Sequence, residues 1–401
     1  MSKLLKVNAV AATRDGSGNV LAPNLTLELD ALLGDFPAET RAAEHKQVTF
    51  VVLRNIALLR KLFAYYCAIG HVQQQQHHGG PDEAKNAATM TRFQLWRFLK
   101  DTKVHHHLNH NLAACDRALA PLFAADGSDP HSPTDKFGLQ DFLKCCVALA
   151  YHIYRHEPSF QAAGSEANVL SRCTQQFFDD HLMNHRSKVG GQFLYETRHA
   201  IKALMYMENS WRVYQYCCHT YAGGGSAPAG SCAAAAPTQQ QQQQHRQPPR
   251  MRQFLFMLRD MEILGKQLST GTVLKVLAAD DPFVCALGTY NMELEMTFLE
   301  FFEALIGCAL CYGFDNLKLM RVPQHRDQQP QQLIDFPDLG KMNISAAAMR
   351  HGGSGDDFGV WSKQVQNFFT KILFPSWHNQ RKITRAARLA RVRSTVAVQS
   401  S

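Results

Sequence analysis

Four histidines crowd one short stretch, His105, His106, His107 and His110. His106 and His110 are four residues apart, so a helix would set both imidazoles on one face, where they could share a metal ion. A structural zinc site normally has four ligands and a supporting second shell, and no nearby cysteine pair completes one. The same side chains serve equally well to end a helix or to meet a partner. Cys308 and Cys311 form a Cys-x-x-Cys pair, a spacing shared by redox and zinc motifs. Both fall within an apolar helical pattern and the chain has no second such pair, so core packing is expected. Glu300 and Glu303 lie one helical turn apart, as many solvated acidic pairs do. The phosphate-cradling, dinucleotide-binding, nucleophile-elbow and zinc-protease motifs are all missing. No constellation supports acid–base work. The expectation is a protein that is not an enzyme and uses no cofactor.

Charge chemistry is concentrated at the C-terminus. Arg381, Lys382, Arg385, Arg388, Arg391 and Arg393 follow one another without an acidic residue between them. Ile383, Ala387 and Ala390 are interleaved at helical spacing, so the segment reads as a basic amphipathic helix or an extended basic arm. Long-range attraction would draw it to acidic tubulin tails, calmodulin, RNA or an anionic membrane. A purely solubilising tail is the plainer alternative. Base-stacking aromatics are absent from it, so neither nucleic acid nor membrane is the expected partner; tubulin or another acidic protein is.

The elements that carry these residues are helices. Met296–Tyr312 places Phe298, Phe301, Phe302, Leu305, Cys308 and Tyr312 at steps of three and four, one helical face. Phe137–Tyr154 repeats that pattern about 159 residues earlier, matching Leu139 to Phe298 and Asp141 to Glu300. The same slide lays Leu99–Asp101 on Leu258–Asp260, which argues for an internal duplication into two lobes rather than a solenoid. Further helical stripes run over Val48–Ile69, Met90–Asp101, Asn111–Phe123, Val169–Asn184, Gln192–Tyr221, Met251–Gly265, Thr272–Ala279 and Phe358–Leu373, the last ended by Phe374-Pro375. No useful period-two stretch occurs, so the fold class is all-α.

The domain plan is a weakly ordered segment 1–47, a first lobe with additional helices 48–221, and a Gly/Ala/Pro/Gln-rich linker 222–250. A second lobe 251–320, a low-complexity insert 321–357, a helix 358–378 and a basic tail 379–401 follow. Trp96, Phe301, Phe302 and Trp361 are expected core or groove residues. Apolar residues make up 45% and charged residues 19% of the 401, a globular composition, and the formal charge is +8. The eleven cysteines are odd in number and mostly apolar in setting, the usage of a reducing compartment. Met1–Val10 lacks the pattern of a secretory leader, and Val48–Ile69 contains Arg54, Arg60 and Lys61, so a soluble intracellular protein is expected.

In each half a loop leads into Phe137-x-x-x-Asp141 or Met296-x-x-x-Glu300. These resemble the last part of an EF-hand loop, where a hydrophobic residue at position 8 precedes an acid at position 12. The spacing back to Asp126, or to Asp280 and Asp281, is too long for one ion. Asp15–Asn19 also fails, with Val20 and Thr26 at the positions of the turn glycine and the bidentate glutamate. Two degenerate EF-hand-like lobes without metal are the expectation, their grooves clamping partner helices. Residual calcium at Asp126–Asp141, residual zinc at His105–His110, and a calcium-responsive regulator remain alternatives, as does a basic adaptor for RNA or membrane.

Taken in order, Arg92–His107, Ala148–Tyr154, Ala203–Tyr214, Met251–Leu268, Phe298–Leu310 and Asn367–Pro375 resemble the C-terminal helical region of the radial spoke head protein 10 family of cilia and flagella. The resemblance spans roughly residues 48–378. It implies a non-enzymatic subunit of the axoneme, the cytoskeletal core of the cilium, acting through contacts with other axonemal proteins. Family members carry MORN repeats before this region; residues 1–47 contain none, which leaves open whether the site is the spoke head, stalk or base, the central pair or the doublet wall.

Overall fold

The computed structural model describes residues 27–34, 36–69, 89–107, 110–123, 131–157, 168–183, 197–222, 248–279, 281, 283–286, 289–312 and 355–399. The Gln-rich linker, the insert before residue 355, the histidine-flanked Gln run at 73–78 and the turn cluster Asp15–Asn19 lie outside them. Among the described residues the chain is mostly helical, with two short antiparallel strand pairs. No described helix is long and apolar enough to cross a membrane. The chain divides into two compact units, Met1–Lys188 and Val189–Ser401.

The first unit contains α1 (Ala38–Ala68), α2 (Arg92–Asp101), α3 (Leu112–Phe123), α4 (Leu139–Tyr154) and α5 (Val169–Phe177), with a π-helical turn Phe178–Met183 after α5. β1 (Met90–Thr91) pairs with β2 (Lys136–Phe137), directly before α2 and α4. Burial of Val48, Val52, Ile56, Leu59, Phe63 and Tyr66 follows from their helical spacing. Ordered structure begins inside the segment 1–47 that is expected from sequence to be weakly ordered. α1 begins at Ala38, and Leu27, Leu29, Leu33 and Phe36 are buried ahead of it. Phe36 meets the Tyr151 ring at 5.4 Å, and His45 Nε2 lies 2.8 Å from the Leu27 carbonyl. These apolar residues sit in mostly irregular backbone, so they show no helical period.

The second unit contains α6 (Thr197–Leu204), α7 (Met207–Cys217), α8 (Met251–Asp260), α9 (Thr270–Leu277), α10 (Phe298–Cys311), α11 (Gly355–Asn367) and α12 (Phe374–Gln399). The Gln192–Tyr221 stretch is broken at Met205-Tyr206, which turns Tyr206 inward and leaves Met205 69% exposed. α6 and α7, grouped by sequence with the first lobe, pack on α11 and α10 of the second unit. Their apolar faces are too narrow to close a core alone. A second small hairpin joins β3 (Cys285–Ala286) to β4 (Thr289–Tyr290).

The two units use the same backbone bonds at positions 159 residues apart, as Thr91 is from Arg250 and Lys136 from Glu295. Thr91 faces Lys136 and Arg250 faces Glu295, both antiparallel. The Arg92 amide donates to the Asp135 carbonyl at 3.0 Å, and the Met251 amide to the Leu294 carbonyl at 2.9 Å. Phe93 donates to Pro133 and Arg252 to Met292, each at 3.1 Å. Lys103 and Glu262, just past α2 and α8, both take φ 57°. Ahead of α4 and α10, Asp141 and Glu300 accept the backbone N–H of Gly138 and Thr297. These two acids cap their own helices.

A further pair of similar segments escaped the sequence reading. Val169-x-Ser171-Arg172 leading to Gln175-Gln176-Phe177-Phe178 matches Val360-x-Ser362-Lys363 leading to Gln366-Asn367-Phe368-Phe369. Each ends an α-helix and runs straight into a π-helical turn, Phe178–Met183 or Phe368–Leu373. All four phenylalanines are buried. α5 packs on α1 and α4, and α11 packs on α10 and α6. The apolar faces expected to clamp partner helices are thus covered by the chain's own helices. Pro375 does not stop the last one: the Phe374 N–H reaches back to the Phe369 carbonyl, and Pro375 falls in the first turn of α12, where no N–H is needed.

Phe301 is fully buried against the rings of Tyr214 and Phe254, at 5.2 and 5.1 Å. Phe301→Ala is expected to cost about 3–5 kcal/mol. Thermal unfolding would show it as a clear drop in Tm, and an unchanged Tm would refute the packing described.

Candidate functional site: a basic helix and a histidine pair

All six basic tail residues belong to α12, a single helix rather than an extended arm. Its root is fixed by Trp377, which is 4% exposed and carries the Arg381 guanidinium 5.0 Å above its ring. Tyr216 Oη lies 3.3 Å from Thr384 Oγ1, a second tie to the body of the unit. Beyond that root Arg381, Lys382 and Arg385 are exposed, and Ile383 is 54% exposed. Helical winding puts positions 381, 385 and 388 on one face, with 391 at its edge, and 382 and 393 together on another. No acidic residue follows Asp357, so nothing within the helix neutralises it. The arrangement can bind an acidic surface by charge, with an apolar strip beside it.

The histidine cluster is built differently from the spacing rule. His106 ends a short 3₁₀ turn, Val104–His106, and does not share a helix with His110. His110 meets the His152 ring instead, at 5.0 Å. His107 Nε2 stands 2.8 Å from Nε2 of His181, a residue that sequence reasoning passed over. His181 Nδ1 lies 2.9 Å from the Thr102 carbonyl, which can only accept. His181 therefore carries its proton on Nδ1, and His107 donates from Nε2. Tyr154 donates to Asp180 at 2.8 Å beside the pair. Burial lowers the His107 pKa, against the opposing pull of Glu157 and Asp180. Burial also lowers His110 and His152, helped by neighbouring histidines and, at His152, first by Arg155. The result is a clasp joining the turn after α2, the end of α4 and the π turn after α5. Its partners are seventy-four residues apart in sequence for His107 and His181, so no local spacing announces them.

Among the described residues no group of three or more His, Cys, Asp or Glu side chains could hold a metal ion. Cys308 is buried and Cys311 partly so, and both are free thiols. Burial raises both, and it pushes Cys67, Cys145 and Cys173 up to about 12. A thiol so raised is a core side chain, not a nucleophile. No family model matches the chain, and no solved structure matches it.

Two measurements follow from this chemistry. The unfolded chain binds protons at His107, His110 and His152 more tightly than the folded one, so stability is full above about pH 6.5 and falls as pH drops below it. Urea midpoints are expected to fall between pH 7.5 and 5.5, with His107→Gln flattening the slope; a flat wild-type profile would remove the clasp as the acid-sensitive element. In maleimide labelling at pH 7.5, Cys218 and Cys285, both partly exposed, are expected to react in the native state. Cys67, Cys145, Cys146, Cys173, Cys217 and Cys308 should react only on unfolding, and fast native labelling of those six would contradict their burial.

Proposed function

We propose that this chain is a non-enzymatic structural subunit of a ciliary or flagellar axoneme, attached to an acidic filament such as the microtubule through α12. The observation that carries the reading is α12 itself: a 26-residue helix rooted by Trp377, with exposed cations and no carboxylate. The ordered resemblance to the helical region of the radial spoke head protein 10 family supplies the cellular setting. We further read each unit as a pair of degenerate EF-hand-like motifs, the two units arising by duplication. The shared bonds at a spacing of 159 residues support that reading. So do the paired strands just before α2 and α4, the place where EF-hand loops join. Asp141 and Glu300, at the position of the bidentate ligand, act as helix caps. The helices α5 and α11 take the place a partner helix would fill, so the lobes serve as rigid bodies and attachment passes to outward faces.

Co-sedimentation with microtubules across a salt series tests this. The full chain is expected to pellet at low salt and to be released as salt rises, because exposed charge pairs are screened within about 8–10 Å. A chain ending at Gln380 is expected to stay in the supernatant. Binding that survives the truncation, or no binding by either form, would defeat the assignment to α12.

A further inference from the structure

The outer face of α1 is unlike an ordinary solvated helix face. Phe50, Leu53 and Tyr65 are 51%, 42% and 41% exposed. The inward face of the same helix is fully used, with Val48, Val52, Leu59 and Phe63 buried against the unit's core. These three side chains are therefore surplus to the fold. A soluble helix normally mixes both signs of charge on such a face. On α1 itself the exposed charged side chains beside the apolar strip are all cations, Lys46, Arg54 and Lys61, with no acidic residue between His45 and Ile69; the carboxylate near Tyr65, Asp101, is buried and paired with Arg97. Lys46 Nζ sits 6.0 Å from the centre of the Phe50 ring, and Arg54 donates to Gln175 at the edge shared with α5. The strip from Lys46 to Tyr65 is about 28 Å long at 1.5 Å per residue, the length of a helix of some five turns.

We infer that this face docks an acidic amphipathic helix of another protein, its apolar side on Phe50, Leu53 and Tyr65 and its carboxylates against Lys46, Arg54 and Lys61. Apolar anchors at helical spacing with flanking charge are what helix recognition uses. Charge selects this occupant over a second copy, since pairing two such faces would set cations against cations. The inference does not rest on α12 or on the axonemal reading.

The test uses the full chain and two fluorescent 20-residue peptides, each with leucines at helical spacing, one flanked by glutamates and its twin by lysines. Fluorescence anisotropy is expected to show micromolar binding of the glutamate peptide and at least about tenfold weaker binding of the lysine twin. Leu53→Glu, at an exposed position that leaves circular dichroism unchanged, is expected to weaken the glutamate peptide by about tenfold or more. A chain with Arg381, Lys382 and Arg385 changed to Gln should bind it within about threefold of the original. An unaffected Leu53→Glu chain, or loss of binding in the tail variant, would overturn the inference. Equal binding of the twin would make the contact generic apolar adhesion. Phosphatidylserine vesicles captured in place of the peptide would make the face a membrane surface, and a concentration-dependent dimer abolished by Leu53→Glu would make the occupant a second copy; each result overturns the proposal.

Discussion

A pair of apolar helices cannot end its fold at its own surface. α4 and α10 each present residues buried nearly all round, including Phe142, Leu143 and Leu149 in one and Phe298, Phe301, Phe302 and Leu305 in the other. Neighbours on one side only would leave large hydrocarbon faces in water, at roughly 25 cal/mol for each square ångström. The chain solves this twice in the same manner. A short helix ending in two phenylalanines lies on the remaining face and continues as a π turn that carries both rings inward. Phe369 stacks on Tyr206 at 4.8 Å and approaches Phe302 at 6.2 Å.

The buried polar groups make sense as fasteners of that arrangement. Glu44, 1% exposed, accepts the Val169 and Leu170 amides at 2.7 and 3.2 Å, so α1 caps the N-terminus of α5. Gln94 and Gln253 each accept from the backbone one turn earlier and donate to a carbonyl at the end of the preceding helix. Tyr66 and Tyr221 donate to Asp101 and Asp260 in the corresponding places. Asp116 is a buried charge held by several partners. Burial pushes its pKa up, and Arg92, His131 and Trp96 together outweigh that, so it stays below the ordinary carboxylate range. Removing one partner of such a knot leaves a buried charge uncompensated.

The helices were legible in the sequence because their apolar residues recur at three and four, Phe137–Tyr154 and Met296–Tyr312 among them. Much of the rest was not. Leu27, Leu29 and Phe36 lie in irregular backbone with no period to read. Pro375 looked like a terminator because a proline's missing N–H matters only relative to the winding around it, and the π turn before it was invisible. The segments that run into the two π turns share Gln-Phe-Phe and Asn-Phe-Phe at a spacing of 191 residues, as Val169 and Val360 do, so they do not align at the offset of 159. Of the site residues, the tail's six cations were plain from composition, whereas His181 is brought to His107 only by tertiary packing.

Covering the lobes internally changes where contact with other proteins can occur. An open groove would place recognition between helices, in apolar surface that must also be kept from aggregating. With α5 and α11 in place, each unit still carries outward a helix with exposed cations beside apolar side chains, α1 in one and α12 in the other. The two differ in a way that matters physically. α1 holds its exposed cations on a face whose underside is packed along its length, which on the proposed reading suits one partner helix in one register. α12 is tied to its unit at Trp377 and Thr384 and carries no acidic residue of its own. On the proposed reading such a helix meets an acidic lattice through many weak, salt-sensitive contacts and needs no unique register.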